Sequence, residues 1–478
     1  MSRSTALLAI VEGVSSAVVA DAPIHRDLSA FVIGPTSTGE ATLRLRWSGS
    51  APAGGGALRL VVARDRWAAG RLEFSVLDGG VVGSVDVDHP DSFEFIEIPV
   101  GDLALSQLFA HGGQVALVGS DEPVHVFGAA SEGAAAAFAP RLLIESDKEE
   151  EPILRLLDAL DSPSSLQQFG WKLGCVLDGL VDLSESTGDR RFLARARSHL
   201  GEFLDDDELV YQDPWGRPRR GEIYGIEGLL PFASMARSGI ATGVPGAFGD
   251  YLEGARRADG ALWDNAMISA EGAYTVAYPL ALLSPATDGI RWLEDAASQL
   301  RVRIRELRSP GSVILRRFED GSTAFEDWIR AWTWMLLGLA RTIPLLRGRV
   351  QTGDLEQEFT SLTGEALDLR GSDGLWRVYP RDGSTSAETS GSAGIAAAMA
   401  IGARHGLVED SYLREALRTR QALSAQVRAD GMLGGASQAN KGGERLQRSG
   451  HRILSQVGMG LFAQLLAATE GHPAGRRL

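Results

Sequence analysis

The hydrophobic periodicity of this 478-residue chain changes once, near residue 150, and that change limits its folding more than any other feature. Before it, short runs such as Ala41-Thr42-Leu43-Arg44-Leu45-Arg46-Trp47 and Ala57-Leu58-Arg59-Leu60-Val61-Val62 lie between Gly- and Pro-rich breaks. Period-two alternation puts every second side chain on one face of a strand. Further runs at 72–77, 93–100, 114–118 and 141–144 recur at spacings that suit a β-sandwich. The apolar start, 4–20, resembles a signal peptide, but Glu12 interrupts it, so it reads as a first strand region. Beyond the change, apolar residues recur at helical spacing over 173–186, 191–204, 227–237, 290–307, 328–346, 355–369, 392–405 and 412–428.

Between the two regimes, Glu145 to Glu151 carries four Glu, one Asp and one Lys, whose like charges keep it solvated. The expectation is a multidomain β + α chain. It has an all-β sandwich-like module over 1–144, a charged linker over 145–151 and an all-helical domain over 152–478. A loose repeat, Asp259-Gly260-Ala261-Leu262-Trp263, Asp373-Gly374-Leu375-Trp376 and Asp430-Gly431-Met432-Leu433, places a turn and an apolar anchor beside successive helical hairpins. The domain has room for about six helix pairs. They are expected to close into an (α/α)6 barrel, with an open α-solenoid as the alternative.

Composition narrows the function. Hydrophobic residues at 44% and charged residues at 23% suit a protein with a large buried core. A formal net charge of -15 without a basic cluster disfavours a nucleic-acid partner. No apolar run approaches the roughly 20 residues that span a bilayer, so no membrane partner is expected. The single cysteine, Cys175, excludes an intrachain disulfide and reads as a small buried residue. No His pair has zinc-ligand spacing, and Gly54 to Gly56 lack the Lys-Ser/Thr ending of a phosphate loop. No metal or other cofactor is expected. A cytoplasmic location is expected, with secretion the alternative if the N-terminal apolar stretch acts as a signal. The sequence leaves the oligomeric state open.

Four segments of the helical region carry a resemblance. They are Gly179 to Asp189 followed by Phe192-Leu193; Asp327-Trp328-Ile329-Arg330-Ala331-Trp332-Thr333-Trp334; Asp373-Gly374-Leu375-Trp376 with Glu388-Thr389-Ser390-Gly391-Ser392-Ala393; and Gly434-Gly435-Ala436-Ser437-Gln438 with Gly458-Met459-Gly460-Leu461-Phe462. In order and spacing they resemble the glycoside hydrolases of families 88 and 105, the unsaturated uronyl hydrolases, across about 300 residues. The resemblance implies a sugar-hydrolase-like barrel acting on an acidic oligosaccharide that ends in a 4,5-unsaturated uronic acid. A carboxylic acid would protonate C4, water would add at C5, and the product would rearrange and release the aglycone. That chemistry needs a carboxyl group held protonated beside a positioned water.

Three departures bear on the site. The family's proton-donor Asp falls at Gly272 when aligned on Pro279, leaving Glu271 as the favoured acid and Asp264 as the other candidate. Glu227, in Glu222-Ile223-Tyr224-Gly225-Ile226-Glu227, stands where a second carboxylate is expected, and reads equally as a first-turn helix acid. Arg316 occupies about the place of a family His. For the substrate carboxylate, Arg330 is favoured because guanidinium binds carboxylate through two parallel hydrogen bonds. Trp328, Trp332 and Trp263 are candidate sugar platforms, whereas Trp334 reads as packing. Thr389 and Ser390 offer hydroxyls and helix-start amides, although plain N-capping explains them as well. Tyr224, Lys172, Gln438 and Arg452 complete the candidates. Two other readings stand beside the leading one: a hydrolase of saturated glucuronides that uses Glu227 and Glu271 as paired carboxylates, and a non-catalytic sugar-binding protein.

Overall fold

The computed structural model describes residues 5–14, 30–36, 42–128, 134–144, 151–206, 208–240, 244–258, 260–264, 266–284 and 289–471. Thr5–Leu8, Arg141–Ile144, Gly56–Val61 and Phe95–Val100 form a four-stranded antiparallel sheet in that order. Ile10–Val14, Leu43–Arg46, Gly113–Val118, Ala69–Val76 and Val81–Asp88 form a five-stranded one. The Leu-Arg alternation at 43–46 becomes a buried-exposed alternation, as period two requires. Leu43, Leu45, Leu58, Leu60, Phe74 and Ile98 share one apolar core with side chains from both sheets. The region is not wholly β. Asp102–His111 is a helix that buries Leu105 and Leu108, with Asp102 placed favourably in its first turn.

In the helical part, Trp171–Thr187, Pro231–Ser238, Tyr278–Leu283, Ile329–Leu346, Thr389–Arg404 and Gln456–Thr469 each pack on the next, and the last packs on the first. Six inner helices therefore close a ring. Arg190–Gly201, Ile290–Leu307, Gly353–Asp368 and Asp410–Ser424 pack outside them. The outer helices bury one stripe, whereas Ile329–Leu346 and Thr389–Arg404 are buried on nearly every face. At the closing seam, a Cβ on Gly179 would meet the Gly460 carbonyl, and one on Gly460 would meet the backbone of Cys175 and Val176. Only glycine lets these backbones approach so closely. Cys175 is buried in the same seam.

Several boundaries differ from expectation for local reasons. The segment expected as one helix over 227–237 divides into a 3₁₀ turn, Ile226–Leu229, and a helix starting at Pro231, which lacks the N–H that a continuous helix needs. The helix expected to reach Leu204 stops at Gly201, and Leu204–Asp205 begins a small sheet with Glu208–Gln212 and Pro218–Arg220. A second small sheet joins Met267–Ser269, Ser312–Phe318 and Thr323–Glu326. The helical part is thus not all-helical, and the two sheets and their turns supply Trp215, Met267 and Arg316 to the cavity described below. Of the charged segment 145–151, only Glu151 is described; its side chain accepts from the Leu154 N–H at 3.0 Å and starts the helix Pro152–Leu160.

The β-rich region and the ring share a core. Phe93, Phe95, Phe127 and Phe138 pack in the same apolar cluster as Leu160, Phe169 and Leu173. Buried Arg59 bridges Glu97 of its own region and Asp430 beyond the ring's fifth inner helix. Gln456, at the start of the sixth, donates to the Phe93 carbonyl at 2.9 Å.

Candidate active site

Three carboxyl groups converge at one end of a cavity of about 440 Å³, a size within the usual range of ligand sites. Glu271 opens the chain turn that runs through a π-helical stretch, Ala273–Ala277, into the inner helix Tyr278–Leu283. Gly272 follows because a Cβ there would collide with the Arg303 guanidinium. Buried Arg303 in turn donates to the carbonyls of Ser269 at 3.1 Å and Leu262 at 3.0 Å, tying together the two segments that carry Glu271 and Asp264. Asp264 sits in a tight turn closed by reciprocal backbone bonds with Met267, at 2.8 and 3.1 Å. Glu227 comes from the 3₁₀ turn before the second inner helix.

Arg316 lies opposite Ser269 in the strand pair, and that register delivers it between two of the acids. One of its terminal nitrogens is 3.9 Å from Glu227 and 3.8 Å from Glu271. Burial first, and the charge of Glu271 second, push the Glu227 carboxyl up to about 8. The same two causes raise Asp264 to about 6. Crowding carboxyl groups around one guanidinium thus leaves the Glu227 carboxyl protonated at neutral pH.

The other end of the cavity is cationic and is built jointly with the β-rich region. Asp91 lies 3.3 Å from Lys172 and 3.7 Å from Lys441, and all three line the cavity. Burial alone would raise Asp91, but the two lysines outweigh it and hold the carboxyl below its ordinary range. Beneath lies Glu94, pushed up to about 8 by burial and by Asp91, where it accepts from the Gln438 amide at 2.9 Å. Five buried polar atoms of residues lining the cavity have no hydrogen-bond partner in the protein: Glu271 Oε2, Arg316 Nε, Trp328 Nε1, Arg330 Nε and Trp334 Nε1. Buried polar atoms are rarely left so, and their convergence marks a place for a polar ligand.

Of the residues singled out in the sequence, Glu227, Asp264, Glu271, Tyr224, Lys172, Trp328 and Arg330 line this cavity. Trp334, expected to pack, also lines it. Six candidates do not. Trp332 is fully buried and donates to Asp327 at 3.0 Å, and Trp263 lies under the Arg257 guanidinium at 3.9 Å. Thr389 donates to the Gly434 carbonyl at 2.7 Å. Ser390 donates to Glu388 at 2.5 Å, and the helix-start amides of Ser390 and Gly391 are filled by that same carboxylate, so none remains for a ligand. Gln438 is spent on Glu94 and on the Asp88 carbonyl at 3.0 Å. Arg452 likewise lies off the cavity, donating to Ser386 at 2.6 Å. Arg330 is partly committed: its Nη2 donates to the Ser437 carbonyl at 3.0 Å and to that of Gln438, while the guanidinium stacks 4.5 Å from the Trp328 ring.

Sequence reasoning missed Lys441, Trp171, Trp215 and everything the β-rich region supplies, including Asp65, Trp67 and Asp91. It noted Arg316 only as a replacement. The short β-branched, apolar run Val313-Ile314-Leu315 before Arg316 was the available strand signal; for the loop residues there was none.

Comparison with known proteins follows this geometry. The model of Glycosyl Hydrolase Family 88 matches residues 317–472, less than half of the chain. Among solved structures, a possible member of family GH105 from Salmonella enterica serovar Paratyphi A is 16% identical with a TM-score of 0.56, covering 68% of this chain and 96% of its own. A glycoside hydrolase from family 105 of C. acetobutylicum is 18% identical at 0.56, covering 67% and 99%. A glycosyl hydrolase family 88 protein from Bacteroides vulgatus is 16% identical at 0.53, covering 69% and 98%. No curated protein sequence matches. Three of the four segments that carry the sequence resemblance fall within residues 317–472, where the model of Glycosyl Hydrolase Family 88 matches, and about two thirds of the chain shares its fold with solved structures of families 88 and 105.

Proposed function

We propose that this chain is an unsaturated uronyl hydrolase whose ring is an (α/α)6 barrel and whose proton donor is Glu227. The observation that carries the reading is the convergence of Glu227, Glu271 and Asp264 on Arg316 in a cavity that keeps at least one carboxyl protonated. A carboxyl that titrates near 8 is still an acid at neutral pH and can give its proton to C4 of a 4,5-unsaturated uronide. Glu271, whose buried Oε2 makes no hydrogen bond and only a long contact with Arg316, then accepts a proton from the water that adds at C5. The hydrated ring opens and releases the leaving group. The sequence favoured Glu271 as the donor; the raised Glu227 carboxyl is what supports giving that role to Glu227 instead.

The substrate's own carboxylate, attached at C5, falls to Arg316 in this arrangement. Arg330 spends a terminal nitrogen on two backbone carbonyls, whereas Arg316 makes only long contacts and has an unpartnered Nε. An anionic substrate on Arg316 also raises Glu227 further and so protects its proton. The solved heparin-specific unsaturated glucuronyl hydrolase with the same fold, 11% identical at a TM-score of 0.52, agrees with an acidic oligosaccharide as the substrate class. A second reading keeps one observation on its side. Glu227 and Glu271 both line the cavity, as paired carboxylates for a saturated glucuronide would have to.

The test is loss of the ultraviolet absorbance of an unsaturated uronyl disaccharide, beside release of nitrophenol from a saturated aryl glucuronide. Turnover of the first alone, lowered at least about 100-fold by Glu227→Gln, supports the proposal. Turnover of the second alone moves the assignment to the glycosidase, and turnover of neither rejects both.

A further inference from the structure

We infer that the N-terminal β-rich region builds the outer, leaving-group end of the cleft, where Trp67 and Trp215 bind the face of a neutral sugar ring. The identification of that end as the leaving-group side rests on the proposed function; the sugar site itself rests on the following geometry. Among the described residues, Trp67 and Trp215 are the widely exposed tryptophans, at 63% and 65%, and both line the cavity. One comes from each part of the chain. The solved structures named above are matched over nearly their whole length by about two thirds of this chain, so a β-rich region of this size is an addition to the shared fold.

Neither indole is a loose surface side chain. Trp67 meets the edge of His89 at 5.2 Å, and the Lys441 ammonium lies 5.8 Å from its centroid. Trp215 sits in the turn of a hairpin whose buried Asp213 carboxylate accepts from the Trp215 and Arg217 amides, at 3.0 and 2.9 Å, and from Arg219 at 2.8 Å. Its ring meets the edge of Tyr224 at 6.1 Å. The two loops adjoin across the boundary, because Asp65, Arg66, Pro214 and Trp215 together line a smaller neighbouring cavity. Trp215 therefore leads through Tyr224 to the acidic end, and Trp67 leads through Lys441 to the cationic one. A rigid, exposed aromatic surface at the mouth of a polar cleft fits the C–H face of a pyranose, which an indole covers at low entropic cost. Asp65 and Glu122, which line the same cavity, can accept the hydroxyl hydrogens of a neutral ring, and Lys441, the lysine beside Trp67, is already paired with Asp65 and Asp91 rather than waiting for a second acidic one.

The experiment uses the intact protein and two substrates: a methyl unsaturated uronide, without a second ring, and an unsaturated uronyl-hexose disaccharide. Trp67→Ala and Trp215→Ala are each expected to lower kcat/KM for the disaccharide about tenfold through KM, to change the methyl uronide less than about twofold, and to regain most of the loss as Phe. Equal loss on both substrates, or no loss on either, overturns the inference. Should wild type hydrolyse no uronide, the reaction assignment falls separately. Tryptophan-fluorescence titration with cellobiose, lactose and maltose then decides: quenching by at least one of them that both Ala variants abolish upholds the sugar site, and no quenching by any overturns it.

Discussion

At the residue scale, the cavity's chemistry follows from crowding carboxyl groups where water cannot screen them. Glu227 keeps its proton up to about 8 because ionising beside Glu271 in a buried pocket is unfavourable. If Glu227 donates it, kcat/KM for an unsaturated uronide stays level through neutral pH and falls as pH rises through about 8, where the acid form is lost. Glu271→Gln removes the neighbouring charge that helps raise Glu227, so its descending limb moves to lower pH while the rate itself drops. A pH–rate profile of the two proteins checks this, and a limb that stays in place or moves upward in the variant assigns it to another group. Arg303 and Gly272 show how sequence chemistry can be indirect. Neither lines the cavity, yet the guanidinium that replaces a side chain at 272 fixes the backbone on both sides of the acids.

At the element scale, the closing contact between the first and last inner helices decides whether the ring exists. Gly179 and Gly460 interlock backbone against backbone, and any Cβ on Gly460 meets main-chain atoms that cannot rotate away. Gly460→Val is expected to destabilise the fold by about 3 kcal/mol or more, since overpacking a dense core forces the backbone apart. Gly246, whose Cβ would meet open space, serves as the control, with Gly246→Ala costing well under about 1 kcal/mol in the same denaturant titration. The π-helical stretch after Glu271 belongs to this scale too. It offsets the backbone at the head of an inner helix, and such offsets recur at functional sites.

On the scale of the whole molecule, the β-rich region and the ring behave as one body because they share an apolar cluster and a set of buried ion pairs. Arg59 is the clearest link, pairing with Glu97 and Asp430 and lying 4.8 Å from the Phe95 ring centroid. A single calorimetric unfolding transition is expected for the intact chain. Arg59→Ala strands Asp430 and leaves Glu97 with Arg428 alone, and is expected to cost about 3 kcal/mol. Two well-separated transitions in wild type, or a variant as stable as wild type, would show that the link contributes little.

The chain's periodicity alone determined the order β then α, most of the inner and outer helices, and the residues whose spacing resembles families 88 and 105. These are local properties: a strand or helix face is written in consecutive residues. The acids Glu227, Asp264 and Glu271, which line the cavity, were reached only through that resemblance, with Pro279 as the point of alignment. Other features were decided only by tertiary structure. The helix start at Thr389-Ser390 looked open to a ligand until Glu388 was seen to fill its amides. Arg316 became a partner of two glutamates only through a strand register that pairs residues far apart in the chain. Asp91 and Trp67 acquired a place in the cleft only because the β-rich region docks on the ring. Loop residues carry no period, and a docking interface has no sequence signature of its own, so the wall they build appears only when the two parts are assembled.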